Sequence, residues 1–332
     1  SEAVEDASEG DELLVWPSFY EESITVDKRL TITGLGPEVR VQGGSEAAFL
    51  IEADGTVLQN LSIGNSSNGV VVNADDVILA NLTISDIGGG IGIAASTVEA
   101  AEVSGLQVRD VIIGNTSAHG VATLYSASGF ILERVQVSQT GSESLLLKGS
   151  GHSIIASIFS GQASFQDGAS LVTEDTTFDE FNLSSQEGAY LENVSANYLT
   201  ISGGSNILLR DSSFATLLSL DGNSLDNRAL DTTFGSISCE FGSTLAIEYR
   251  TVIELRTVQG AGSWLEIEVT EDSTGWYDQV VYSTSFFGGG EPLTDEEGLL
   301  PELLIAGLVY NGSSTPGPAV TYVQVQFNGI QE

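Results

Sequence analysis

The sequence predicts an all-β chain wound as a parallel β-helix, a solenoid of short stacked coils. Three observations carry this. One phrase is repeated: Leu58-Gln59-Asn60-Leu61-Ser62-Ile63 returns as Leu79-Ala80-Asn81-Leu82-Thr83-Ile84. Its anchor residue recurs at positions 60, 81, 110, 134, 157, 175, 193, 211 and 231, and such recurrence is the signature of stacked units. After each anchor, apolar residues alternate with Ser, Thr or Gln, the period of a half-buried strand.

The anchor is usually Asn or Asp, whose short polar side chains tolerate the left-handed backbone of a tight turn. Arg134 and Ser157 depart from that chemistry. A unit of roughly 20 residues cannot bury its own apolar face. Stacked about 4.8 Å apart, each unit covers the next.

Taken in order, residues 1–11, SEAVEDASEGD, are expected as a flexible acidic arm. Residues 12–287 are expected as the β-helix, and 288–332 as a less regular β segment for capping or assembly. Gly88-Gly89-Gly90-Ile91-Gly92-Ile93 is glycine-rich. It lacks the Gly-Lys-Ser/Thr of a phosphate loop, so it reads as a turn beside a strand. Residues 97–105 give the longest repeat its extra length, as a bulging loop. Phe159, Phe165, Phe178, Phe181, Phe214 and Phe234 recur through the later coils, which predicts an inward aromatic stack. Residues 251–258 and 280–286 read as two further coils. Leu299 to Ala306 is the best helical stretch, although Pro301 interrupts it. Residues 303–312 and 319–328 read as strands, and 321–327 alternate cleanly.

The entry segment also carries a family resemblance. Gly10-Asp11-Glu12-Leu13-Leu14-Val15-Trp16-Pro17 leads into the stretch from Phe19 through Tyr20, Glu22, Ile24, Val26, Lys28, Leu30 and Ile32 to Gly34. It resembles the opening coil of pectin-lyase-like β-helix proteins, including those with carbohydrate-binding and sugar-hydrolase repeats. Ser18 stands where that pattern has glycine. The resemblance covers residues 10–34 closely and the repeats to about 260 loosely. It implies a right-handed, single-stranded parallel β-helix with an N-terminal entry coil. It does not imply one function, because the fold hosts lyases, hydrolases, binders and adhesins.

The net charge is -36, from 46 acidic and 10 basic residues. Nucleic acid and anionic membrane surfaces are thereby excluded as partners. No run of about 18 apolar residues occurs, so no membrane span is expected. The chain contains no methionine, and a secretory leader is expected to have been removed. Seven asparagines begin N-x-S/T and are candidate glycosylation sites: Asn60, Asn65, Asn81, Asn115, Asn182, Asn193 and Asn311. Cys239 is the single cysteine. It shares the apolar phase of its strand, which suits a buried thiol, and an odd cysteine in an exported protein also suits an intersubunit disulfide.

For catalysis the resemblance implies either calcium-binding aspartates beside a basic residue or paired carboxylates with Gly-His-Gly and Arg-x-Lys. Neither set is present; the histidines are His119 and His152 alone. No catalytic residues are therefore assigned. One constellation stands out: Asp110, Arg134 and Ser157 share a turn position in successive coils, with His152 just before the third. A carboxylate beside a guanidinium could bind a uronic acid, with Arg109, Arg134 or His152 in a groove. The bland reading is a neutralising surface ion pair. Asp75, Asp76 and Asp86 are weak candidates for a shared divalent cation such as calcium; no other cofactor is expected.

The leading expectation is a non-enzymatic extracellular structural protein, a self-assembling subunit of a cell-surface sheath, layer or filament. The strand 321–327 and Cys239 are its candidate contacts. One alternative is a β-helix protein that binds or cleaves acidic polysaccharide. Another is a monomeric adhesin that holds a glycan.

Overall fold

Alternation places every second residue of a strand inside, and stacking turns those residues into columns. The computed structural model describes residues 2–36, 38–98, 102–257, 260–261, 264–272 and 278–326. It is all-β with about 3% helix, and its parallel strands form a β-solenoid of roughly 11 turns.

Three ladders run along it. In the first, Leu13, Ile32, Leu58, Leu79, Val108, Leu132 and Ile154 pair in succession, followed by Thr173, Leu191, Leu209, Ala229 and Ile247. The second runs from Val41 through Ile63, Ile84, Ile113, Val137, Phe159, Phe178, Ala196 and Phe214 to Phe234. The third includes Phe165, Leu183, Ile201, Leu220 and Cys239. The expected phenylalanine stack is present. Phe159 and Phe178 stack at 5.5 Å, Phe178 and Phe181 at 4.3 Å, and Phe214 and Phe234 at 5.9 Å between ring centroids. Phe159, Phe178, Phe181 and Phe214 are fully buried and each contributes about 1.5–3 kcal/mol, whereas Phe234 is partly buried.

From Asn60 to Asp231, each coil makes a tight left-handed turn between the first and second ladders. Backbone φ is 61° at Asn60, 50° at Asn81, 54° at Asp110 and Arg134, 51° at Asn193 and 47° at Asp211. The repeat anchors therefore lie in one column. One anchor is displaced by a residue: the turn falls on Ala156, at φ 51°, and not on Ser157. Ser157 lies inside instead. Its Oγ accepts the Val135 N–H at 3.0 Å and donates to the Ile155 carbonyl at 2.8 Å. Thr176 and Ser212 repeat this arrangement on later coils. A serine or threonine just past the turn thus satisfies backbone groups that burial would otherwise leave costly.

Both ends differ from expectation. Glu2–Asp6 is helical, and Val4, only 6% exposed, joins the core. Lys28 Nζ donates to the carbonyls of Val4, Glu5 and Ala7 at 3.2, 2.7 and 3.0 Å. A cation at the negative end of a helix is favourable, so this part of the acidic arm is pinned. At the other end, parallel pairing stops at Thr244–Thr251, well before residue 287. Leu303–Asn311 pairs antiparallel with that strand and occupies the edge a further coil would need. Leu303–Asn311 is thus a strand where the stretch from Leu299 read as the best helical candidate.

The segments 251–258 and 280–286 are not coils either. Arg256–Thr257 pairs antiparallel with Gly260–Ala261, and Asp278–Ser283 pairs antiparallel with Glu266–Asp272. Val320–Gln326 completes the latter as a three-stranded sheet. Val258 and Phe327 lie outside the described residues. This sheet has its own core of Leu265, Ile267, Val269, Tyr282, Leu300, Leu303 and Ile305. Among the described residues, no helix is long and apolar enough to cross a membrane.

Candidate functional site

The turn column brings the singled-out charges together. Arg134 Nε and Nη2 donate to Asp110 Oδ1 and Oδ2 at 2.6 and 2.9 Å. Arg134 also bonds Glu133, and Arg109 lies 3.6 Å from Glu133. The hydrogen bond from Arg134 holds the Asp110 carboxyl below its ordinary range. The pattern continues along the rod. Arg210 sits 3.5 Å from Glu192 and 3.2 Å from Asp211. Arg228 reaches Glu248 at 2.5 Å, and Arg250 reaches Asp231 at 2.8 Å and Glu302 at 3.1 Å. Five arginines thus form one strip, and each is already engaged by carboxylates of its own chain.

Ser157 and His152 do not join that strip. Both are buried, His152 at 2% exposure. The His152 Nδ1 accepts the Phe130 N–H at 3.3 Å, and its ring packs edge-on to Phe130. Burial lowers its pKa to about 4 against the opposing pull of the Lys148 backbone, so it is a neutral core residue. A groove carrying Arg109, Arg134 and His152 together is therefore not formed. His119 Nδ1 lies 2.9 Å from Glu143 on another corner.

Of the three aspartates proposed for a cation, Asp86 lies at a different corner from Asp75 and Asp76. Asp76 is a left-handed turn residue at the corner before the first ladder, and Asp86 at the corner after the second. Asp75 accepts the Ser104 N–H at 2.7 Å. Asp86 accepts Asn115 Nδ2 at 2.7 Å and lies 3.6 Å from Arg40. Among the described residues, no three His, Cys, Asp or Glu side chains converge on a metal position.

Cys239 points inward from the third ladder at 4% exposure. Its Sγ donates to the Ser243 carbonyl at 3.2 Å, and burial pushes its pKa up. A thiol placed so cannot meet one from another chain, which removes it as an intersubunit contact. Four sequon asparagines work between coils. Asn81 donates to Asn60 at 2.7 Å, Asn193 to Asp175 at 2.6 Å, Asn115 to Asp86 at 2.7 Å and Asn65 to Gln42 at 3.1 Å. Asn182 lies within a third-ladder strand, and Asn311 ends the Leu303–Asn311 strand.

Sequence reasoning missed two features. One is an apolar hollow of about 270 Å³ at the N-terminal mouth, lined by Val4, Leu13, Trp16, Tyr20, Ile24 and Phe49 among others. The other is a buried carboxylate pair under the C-terminal sheet. Glu248 is 1% and Glu271 0% exposed. Glu271 Oε1 accepts the Ala306 N–H at 2.6 Å. Among the described residues, neither Oε2 has a hydrogen-bond partner. Burial, reinforced by the charge of Glu248, pushes the Glu271 pKa up to about 7. Only the packing of the sheet over this face of the solenoid buries them, and no local signal announces that.

No protein-family model matches the chain, and no curated protein matches it. Among solved structures it is similar to ORF18 of Geobacillus virus E2, at 10% identity and a TM-score of 0.32, over 96% of this chain and 74% of that one. It is also similar to PfbA, a surface adhesin of Streptococcus pneumoniae, at 7% identity and a TM-score of 0.33, over 82% of this chain and 91% of that one. Scores this low bear on neither function nor location.

Proposed function

We propose that this protein is a non-catalytic extracellular scaffold, a self-assembling subunit of a cell-surface sheath, layer or filament. One observation carries the reading. The groups that looked chemically capable are engaged in holding coil to coil: Arg134 clasps Asp110 of the preceding coil, and Ser157 and His152 are buried in the stack. Such cross-coil bonds stiffen a rod, and the net charge of -36 keeps its sides solvated. Sequon asparagines at the surface suit an exported protein and supply attachment points for glycan.

The arginine strip is the observation that favours the second reading, binding or cleavage of an acidic polysaccharide. A uronate would have to displace carboxylates already bonded there. The test incubates the protein with polygalacturonate and alginate and follows new reducing ends and unsaturated products, with sedimentation velocity run in parallel. The scaffold reading expects no turnover and salt-dependent self-association. Turnover abolished by Arg134→Ala would replace it with the second.

A further inference from the structure

We propose that the strand Val320–Gln326 is a docking edge for the same strand of a second copy, paired antiparallel, so that two C-terminal sheets become one. This contact presupposes the assembly reading above and gives it a location. The C-terminal sheet runs in the order Asp278–Ser283, Glu266–Asp272, Val320–Gln326. Among the described residues, Val320–Gln326 pairs with Glu266–Asp272 alone. Among the described residues no strand pairs with its outer side, which leaves a row of backbone donors and acceptors as a template for another strand.

The chemistry of the strand selects the occupant. Its sequence, VTYVQVQ, has no charged residue, in a chain of net charge -36. Tyr322, Val323 and Val325 are 51%, 39% and 43% exposed, which leaves apolar surface on both faces. Edge strands are ordinarily protected by lysine, proline or a bulge, and this one has no lysine or proline. An acidic strand of the same molecule would lose hydration against those valines. A second copy of the neutral strand brings backbone groups and apolar side chains and no like charge. Antiparallel self-pairing also satisfies a two-fold axis, with the same patch on both sides.

The other edges are less suited to this role. Gly317–Pro318 borders the strand Leu303–Asn311, and proline supplies no N–H to a further partner. Asp278–Ser283, the opposite edge of the sheet, carries the charged Asp278 and runs beside Leu303–Asn311. Ionic strength should gate the contact. Two bodies of charge -36 repel through a screening length of about 10 Å at 0.1 M salt and about 3 Å at 1 M.

The experiment is sedimentation velocity of the full chain across a salt series, for wild type and the Val323→Lys/Val325→Lys variant. Oxidation of Val323→Cys, with Val280→Cys on the opposite edge as control, accompanies it. We expect wild type to associate as salt rises and the double-lysine variant to weaken that at least about a hundredfold, the effect of like charges set face to face. Val323→Cys should give a disulfide-linked dimer, since directly opposed antiparallel Cα atoms lie within disulfide reach. Wild-type association untouched by the lysines, or cross-linking through Val280→Cys alone, overturns this contact and leaves assembly standing. A wild type that stays monomeric at every salt concentration overturns both. If the double-lysine variant does not fold, the two cysteine variants still decide.

Discussion

Replacing Glu271 by glutamine should make the C-terminal sheet indifferent to a pH range in which the natural protein weakens. Glu271 is fully buried, and its pKa stands at about 7 against an ordinary 4.5. Burial is the main cause, the Glu248 charge adds to it, and Arg228 opposes it. Below about pH 4.5 folded and unfolded chains both hold this proton. Between about 4.5 and 7 the folded chain keeps a proton that the unfolded chain has lost, so stability falls as pH rises. Above about 7 the loss is complete, at roughly 3 kcal/mol for a shift of this size. Glutamine keeps the oxygen that accepts from Ala306 and never ionises. Hydrogen exchange over Glu266–Asp272 and Leu303–Asn311 reads the effect. At pH 5 the variant should match wild type, and at pH 8 it should be protected roughly a hundredfold better. Parallel curves for the two proteins would show that Glu271 does not titrate in the folded sheet, and the account of the buried pair would fail.

Three other outcomes are expected. Phe178→Ala should cost about 3–5 kcal/mol in denaturant titration, the range for emptying a buried aromatic site, because Phe178 stacks on both Phe159 and Phe181; a loss below about 1 kcal/mol would mean the column does not carry the core. His152 should titrate by NMR near pH 4, and a midpoint near 6.5 would return it to solvent and to the candidate binding groove. Gly168→Ala should unfold or strongly destabilise its coil, since a Cβ there would lie 1.7 Å from the Gly149 carbonyl oxygen; a normal melting temperature would contradict that close approach.

The coils were legible in the sequence because each one restates the same local bargain between a turn and an alternating strand. Asn60, Asn81, Asp110 and Asn193 have side chains suited to the left-handed turn, and those residues form the column. The turn at Ala156 is offset by one residue from the position the sequence suggests, because alanine announces no turn, whereas the neighbouring serine does. The C-terminal boundary is hidden in the sequence for a different reason. The stretch 280–286 alternates as a coil strand would, and alternation sets which face is buried but not whether the partner runs parallel or antiparallel. Glu248 sits where the last coil's outer surface should face water, and Glu271 on a strand of the C-terminal sheet, so their burial depends on packing between segments far apart in the chain. Asp110 and Arg134 were legible as neighbours by repeat arithmetic. The withdrawal of His152 and Ser157 into the core was not, because repeat position alone does not say which way a side chain points.

The same geometry constrains how such a rod can grow. A parallel solenoid left open would extend by adding coils end to end, since every strand edge there offers the register of the next. Here Leu303–Asn311 pairs antiparallel with the last coil strand, and its outer neighbour contains Pro318, so the ladder cannot pass into another molecule at that end. At the opposite end, Lys28 fastens the Glu2–Asp6 helix beside the entry coil. Long sides bearing repulsive charge do not attract one another at low salt. A neutral strand set off the solenoid axis, on a sheet with its own core, therefore has the better chance of joining copies without disturbing the coils. Assembly by that route would leave the coils of each rod unchanged, and the melting of the phenylalanine column should be the same in monomer and assembly.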